Sequence, residues 1–471
     1  MQHVVIIGAG ATGLTLAYKL TQESNYHVTV IEKEGQIGGL ASSFKYKDTK
    51  LDFGPHKIYT QFPEVQKELE KILGEDLLAK PKKSKIRLMG KYFDYPVKIN
   101  ELLFKMNPVT AISCGLSYGL STVKNKFSYE EPVTAEAYLK QRFGTTTYEI
   151  VFKDFATKVW GDPTKLSYEL AKARVSIPSL PEMLKRVVLG DKGQKEISAK
   201  IFYYPKYGAI ELYEKMLEKI EESGRGEVIL KCKPTAIHTE ASRIAGITVK
   251  YSDGKESEIK PDFLVSTVPL EMLPSLWQPP MPEHVVNAFN GLKYRSLVLL
   301  YLVVDKDSLF TESFIFFPEK DFRFHRLSEQ KAFSEYTVPE GKTVLCVEMT
   351  CERDSDFYKL TNKELFERVI PDIEKTGFLK KIDVKEYFSF RMHGIYPVYD
   401  LEFRQNLTSI LNYLDQFNNF LTLGRRGLFN YNNQDHCMDM AFKAANHIIS
   451  NSSMEQWKEV RKKFDEYVII D

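Results

Sequence analysis

Six residues near the amino end have the types and spacing to hold phosphate. Gly8-Ala9-Gly10-Ala11-Thr12-Gly13 is a GxGxxG between an apolar run, His3 to Ile7, and a helically spaced segment, Leu14 to Gln22. Gly8 permits a tight turn, Gly10 lets backbone approach a pyrophosphate, and Gly13 lets helix and strand pack closely. Ala11 and Thr12 lie within the turn, and the helix N-terminus that follows, with free N–H groups and a positive dipole end, suits an anion. Glu32 ends a second apolar run, His27 to Glu32, nineteen residues beyond Gly13. A carboxylate there accepts both ribose hydroxyls of an adenosine and repels a 2′-phosphate, which argues against NADP.

The residues after Glu32 distinguish the dinucleotide. Lys33 and the pair Gly38-Gly39, continuing as Leu40-Ala41-Ser42-Ser43, come directly after it. This second glycine pair resembles the flavoprotein pattern, in which the chain wraps an FAD pyrophosphate from its other side. Asp52-Phe53-Gly54-Pro55-His56 is a turn ending in a histidine. Taken alone, His56 reads as a surface or helix-capping residue; beside the glycines it could face a flavin ring. Near the carboxyl end, Gly424-Arg425-Arg426-Gly427 follows a strand, and Asn432-Asn433-Gln434-Asp435-His436 opens a helix. A helix start aimed at a flavin pyrimidine stabilises negative charge on a reduced ring, although a plainly capped helix has the same composition.

The elements that must position these residues begin with a βαβ opening. From Thr60 to about Leu189 the chain is mostly helical, with helices at Pro63 to Leu73, Glu101 to Met106, Thr134 to Arg142 and Ser167 to Arg174, and a strand-like exception at Ile86 to Tyr95. Ile210 to Ser223 is a helix and Glu258 to Thr267 a strand. Ser296 to Val303 and Thr343 to Met349 lie in a β-rich stretch. Phe420 to Leu423 and Gln434 to Ser450 return to strand and helix. The pattern predicts an α/β fold: a discontinuous Rossmann-type FAD-binding domain (1–90, 200–285 and 390–450), a mainly helical insertion (91–199), a β-sheet substrate domain (286–389) and a C-terminal helix (451–471).

Bulk properties narrow the function. The net charge of +2 over 471 residues calls for no nucleic-acid partner, and the basic run Lys80 to Lys85 reads as a solvated loop. Five cysteines without a CxxC argue against a disulfide framework or structural zinc, and toward a reducing, cytoplasmic compartment. The first strand leaves no room for a signal segment. No run reaches the roughly twenty apolar residues of a membrane span; Val109 to Val123 comes nearest and reads as a buried helix. No GxSxG or HExxH occurs, so hydrolytic and metal chemistry lack support.

Together these motifs resemble UDP-galactopyranose mutases and their protoporphyrinogen-oxidase-like and amine-oxidase-like FAD relatives. The resemblance runs nearly end to end. It includes Tyr95-Pro96, Lys158-Val159-Trp160-Gly161, Ala173 to Pro178 and His393 to Pro397. It implies isomerisation of a diphosphate-linked sugar between pyranose and furanose through a reduced-flavin N5 adduct, with NADPH or NADH as candidate reductants. Arg174 and Arg326 match two arginines that clamp the diphosphate, a task suited to the guanidinium fork. Tyr396 and Tyr431 match diphosphate-holding tyrosines, and Asn433 an asparagine near sugar and flavin. His56, Gly424, Arg425 and Gln434 match flavin contacts, and Tyr95, Trp160 and Phe316 fall at substrate-contacting positions. The departures sit in the base pocket: Val97 and Lys98 replace an aromatic and a Gln, Ala156 replaces an Asn, and Phe316 replaces a Tyr. Pro234 keeps a carbonyl for adenine but has no N–H. Gly190 to Glu196 falls where the mutases carry a mobile flap.

Two other functions compete. One is a true FAD oxidoreductase, removing hydride from an unidentified substrate in the manner of an amine or protoporphyrinogen oxidase. The other is a non-enzymatic binding module of the GDP-dissociation-inhibitor kind, which shares the fold.

Overall fold

The computed structural model describes residues 2–97, 101, 105–175 and 200–469. These form two compact units, each assembled from separated stretches: Met1–Ala79, Tyr203–Leu292 and Glu402–Tyr467 in the first, and Lys80–Phe202, Lys293–Leu401 and Val468–Asp471 in the second. The helical and β-rich stretches of the chain thus belong to one unit. The segment 190–196 lies outside the described residues, as do Lys98, 176–178 and much of 101–106.

In the first unit the opening motif folds as β1 (His3–Ile7), α1 (Ala11–Glu23) and β2 (His27–Ile31). With β3 (Gly226–Ile229), β4 (Phe263–Ser266) and β5 (Phe420–Thr422) the strands make a parallel sheet in the order β5-β4-β1-β2-β3. Helices cover both faces of such a sheet, which is why its strands read as continuous apolar runs rather than alternating ones. Val4 to Ile7 are buried. Helix α2 (Gln434–Ser450) and the Glu211–Glu222 helix pack against α1, which is buried almost all round. Thr15 and Thr21 of α1 tolerate this because their hydroxyls donate to the carbonyls of Ala11 and Ala17.

The single strand expected at Glu258 to Thr267 is two. Glu256–Ile259 joins a four-stranded sheet with Arg243–Lys250, Lys233–Glu240 and Trp277–Gln278, while Phe263–Ser266 is β4. Pro261 stands at the break, where it has no N–H to continue a ladder.

The second unit is built on a seven-stranded sheet. Its strands run in the order Val384–Val398, Lys293–Val304, Thr343–Cys351, Arg326–Glu329, Phe314–Phe316, Ser84–Leu88 and Lys91–Asp94. The register places Arg326 opposite Glu348 on one side and Phe316 on the other, and Arg295 opposite Tyr396. Of the basic run Lys80 to Lys85 only Lys82 and Lys83 lie in a loop: Lys80 is in the strand Leu77–Pro81 and Lys85 in Ser84–Leu88.

The Pro108–Phe127 helix forms as expected, but its burial does not. None of its residues is buried, and Val109, Ile112, Leu116, Leu120, Val123 and Phe127 are all exposed. Its inward side is a mixed one of small residues: Ala111 and Cys114 pack on the cluster of Ile86, Leu88 and Phe93, and polar groups find partners further along. Ser121 Oγ and Asn125 Nδ2 donate to the carbonyls of Lys140 and Gln141, at 3.0 and 3.1 Å. Those carbonyls belong to the last turn of the Ala135–Phe143 helix, where Lys140 O also accepts from the Gly144 N–H at 2.9 Å. The Thr146 N–H donates to Ser117 Oγ at 3.1 Å. Satisfying these groups turns the aliphatic stripe outward.

Candidate functional site

In the first unit the glycine loop closes on itself and on two distant loops. The Gly8 N–H donates to Ile31 O at 2.8 Å, and Gly8 has φ +106° with Thr267 Oγ1 where a Cβ would stand. A Cβ on Gly13 would lie 1.9 Å from Gly8 O. Gly10 is open: a Cβ there would meet nothing nearer than Gly39 Cα at 3.9 Å. The helix start it caps has no side-chain cap and no acidic residue in its first turn. Uncapped N–H groups, a positive dipole end and an open glycine backbone are the donor set a pyrophosphate needs.

The Gly38 N–H donates to Ala9 O at 2.8 Å, so the second glycine pair lies against the first loop. Gly38 and Gly39 take φ of +94° and +55°; Leu40 and the buried Ala41 follow in one 3₁₀ turn. Gly424, with φ +83°, presses against the Thr12 side chain. Glu32 accepts from the N–H groups of Ala9 and Glu34, both at 2.9 Å. Each carboxylate oxygen has a second lone pair, leaving acceptors for ribose hydroxyls. Lys33 stands apart, its side chain 57% exposed and paired with Glu34.

The carboxyl-terminal loop is tied to the same unit. Gln434 at the start of α2 donates to His56 O at 2.9 Å and accepts from Tyr213 OH at 2.8 Å. The Arg425 guanidinium donates to Asn432 O at 2.8 Å and covers the Tyr431 ring. The Asn433 N–H donates to His436 Nδ1 at 3.1 Å. Burial pushes the Asp435 carboxyl up to about 7, against the opposing pull of the N–H groups in the helix start.

Asp435 therefore links stability to pH with a definite sign. An unfolded Asp releases its proton near 3.9, whereas folded Asp435 keeps it to about 7, so stability declines as pH rises across that window. Replacing Asp435 with Asn removes the penalty. Denaturant unfolding at pH 4 and pH 8 is expected to show the variant gaining up to about 4 kcal/mol on the wild type at the higher pH. Equal pH slopes for the two proteins would refute this.

The second unit holds a different constellation. Arg326 Nε and Nη2 donate to the two oxygens of Glu348 at 2.6 and 2.7 Å, and Glu348 is buried. The same guanidinium lies 5.6 and 5.8 Å from the ring centroids of Phe314 and Phe316. Tyr95 packs on Phe316 at 4.8 Å, and Phe155 bridges Phe316 and Trp160. Tyr95, Trp160, Phe316 and Arg326 are therefore brought together, as one aromatic wall with a cation beside it. Among the described residues the buried Trp160 Nε1 has no hydrogen-bond partner.

His325 marks the electrostatics. Its ring is held well below its ordinary pKa, first by burial and then by the charges of Arg326, Lys158, Arg295 and Arg174. Four cations thus act on one buried neutral imidazole. The Lys158 ammonium donates to the carbonyls of Phe317, Glu319 and Phe324 at 2.7, 2.7 and 3.2 Å, and burial lowers its pKa to about 8. All three of its protons are engaged, so it supplies charge rather than a ligand contact. Arg295 pairs with the exposed Glu352. Sequence reasoning did not single out Arg295, His325 or Glu348 as site residues. Glu348 carried a legible signal, a lone carboxylate inside the apolar strand Thr343–Cys351. Of the remaining residues of interest, Arg174 and Tyr396 lie in the second unit, and His56, Tyr431 and Asn433 in the first.

The chain is similar to known proteins. The family described as flavin containing amine oxidoreductase matches residues 11–389. Among solved structures, a reduced UDP-galactopyranose mutase superposes with a TM-score of 0.80 at 23% identity, covering 96% of this chain and 94% of that one. A putative protoporphyrinogen oxidase from Exiguobacterium gives 0.73 at 17% identity, covering 96% and 99%. Among curated relatives, an L-amino acid oxidase of Crotalus durissus cumanensis is 36% identical over 70 residues, 15% of this chain and 14% of that protein. The L-amino-acid oxidase of Crotalus adamanteus is 24% identical over 324 residues, 65% of this chain and 58% of its own length.

Proposed function

The chain belongs to the flavin-containing amine oxidoreductase family, and from that premise we propose that it is an FAD-dependent enzyme interconverting pyranose and furanose forms of a diphosphate-linked sugar. Bound and reduced, for which NADPH or NADH is the proposed source of electrons, the flavin would supply a nucleophilic nitrogen for the anomeric carbon. The first unit's residues would hold that cofactor: the α1 start and Gly10 at the pyrophosphate, Glu32 at the ribose, and Arg425, Gln434 and His56 about the ring. The observation that carries the reading is the group of four cations acting on His325, which suits a diphosphate better than an amine. Arg174 and Arg326 would grip phosphate oxygens, and the Tyr95–Phe316–Trp160 wall would pack on the nucleoside or sugar. Val97 lacks the ring, and Phe316 the hydroxyl, that the mutase pattern has at the base position, so the favoured nucleotide need not be uridine.

A second reading, a hydride-removing oxidase, is favoured by the Glu348 carboxylate that already occupies Arg326, and by relatives named L-amino-acid oxidases. One experiment separates the two. The purified protein is titrated with UDP-galactose before and after anaerobic dithionite reduction, and products are resolved by chromatography. Furanose appearing only with reduced flavin is the expected result. Failure to bind UDP-galactose or any other sugar diphosphate, with hydrogen peroxide released from L-amino acids or amines, would replace the mutase reading with the oxidase one. A colourless protein that takes up no FAD would sink both and leave the binding-module reading.

A further inference from the structure

We propose that the outward face of the Pro108–Phe127 helix docks on a lipid membrane surface, an inference independent of the reaction proposed above. Six side chains recur at intervals of three or four residues along it: Val109, Ile112, Leu116, Leu120, Val123 and Phe127. They are between 56% and 82% exposed. Tyr129 and Val133 extend the apolar surface beyond the helix end. No charged residue occurs in the helix before Lys124. Hypothetical Cβ atoms on Gly115 and Gly119 meet nothing within 4 Å. A helix normally turns its largest apolar residues to the core; this one turns only the small Ala111 and Cys114, with partnered hydroxyls and an amide, inward, and leaves the large aliphatic stripe uncovered by any described residue.

Geometry favours lipid over a second copy of the chain. Twenty residues make a helix about 30 Å long, and a stripe about 10 Å wide therefore offers about 300 Å². A stable protein–protein interface needs about 800 Å² from each partner. A bilayer surface needs only one amphipathic helix lying in its plane. The helix ends suit that plane: Lys124 and Lys126 can extend to headgroups while their stems stay apolar, and Phe127 and Tyr129 provide aromatic rings at the same level. No described helix is long and apolar enough to cross a membrane, so the contact is in-plane. Exposed Lys105, Lys124 and Lys126 are offset by exposed Glu130 and Glu131. Apolar burial, not attraction to anionic lipid, is thus the driving term.

The test is co-sedimentation of the full-length, flavin-loaded protein with vesicles of phosphatidylcholine alone, and with vesicles in which roughly one lipid in four is phosphatidylglycerol. Binding to both, surviving high salt, is the expected result. Leu116→Asp/Leu120→Asp should lower the bound fraction by at least about tenfold with circular dichroism and flavin absorbance unchanged. Ile382→Asp, which alters a residue 84% exposed outside the stripe, should leave binding intact. Wild-type protein that stays in the supernatant, equal binding by the double variant, or binding confined to anionic vesicles and lost in salt would each overturn the proposal. So would a concentration-dependent dimer that the double variant abolishes, which would assign the stripe to a second copy.

Discussion

A chain carrying Gly13→Ala is expected to lose its flavin and its cooperative fold together. The added methyl would lie 1.9 Å from Gly8 O and 3.1 Å from Gly8 C. Both obstacles are backbone, so no rotamer change relieves them. Helix α1 would have to lift from β1, opening the turn that holds Gly8 and detaching the Gly38 loop. Ordinary overpacking costs about 1–3 kcal/mol; this collision should reach at least the upper end. Denaturant unfolding and flavin absorbance report the two losses.

Gly10→Ala makes the informative contrast. Gly10 has φ −81°, which alanine adopts without strain, and its Cβ would stand in open space. This variant should unfold within about 0.5 kcal/mol of wild type yet fail to retain FAD, because the methyl occupies the approach of the pyrophosphate. A Gly10→Ala protein with a full complement of flavin would remove the phosphate site from the α1 start.

The second large effect is expected at Arg326. Truncation to Ala leaves Glu348, which is 1% exposed, as an unpaired buried carboxylate, a change that costs about 3–5 kcal/mol. Loss of activity in that variant would therefore say nothing about substrate. Replacing both partners, as Arg326→Met/Glu348→Met, removes the buried charge along with its partner and should restore most of the stability. If Arg326 grips a diphosphate, the folded double variant should bind UDP-galactose or its replacement substrate at least about a hundredfold more weakly, by calorimetry. Unchanged affinity would make the arginine a structural partner of Glu348 and leave Arg174 without the second member of its clamp.

The glycine loop proposed to hold FAD is legible in the sequence because its geometry is local. Gly8, Gly10 and Gly13 serve one turn, and a βαβ unit brings Glu32 beside it after a single helix, so residue type and spacing suffice. The same holds for the helix at Gln434, where an opening motif and an apolar repeat lie in one stretch. Tethering of His56 by Gln434, and of the Gly38 loop by Ala9, is accessible only through resemblance, since nothing in the spacing between those segments encodes their meeting.

The cationic cluster lies beyond such reading. Arg174, Arg295 and Arg326, with Lys158 and Glu348, come from two helices and three strands, and only strand register puts Arg326 against Glu348 and Arg295 against Tyr396. Each arginine in isolation reads as an ordinary surface charge. The Pro108–Phe127 helix shows the limit most sharply. Its apolar repeat announces one greasy face, but periodicity has no direction in space. The carbonyls of Lys140 and Gln141 take the hydroxyl of Ser121 and the amide of Asn125, and the aliphatic side faces out. Local covalent order is thus enough to specify a glycine turn between strand and helix, whereas pairing of buried charges and the outward turn of a helix depend on which distant groups they meet.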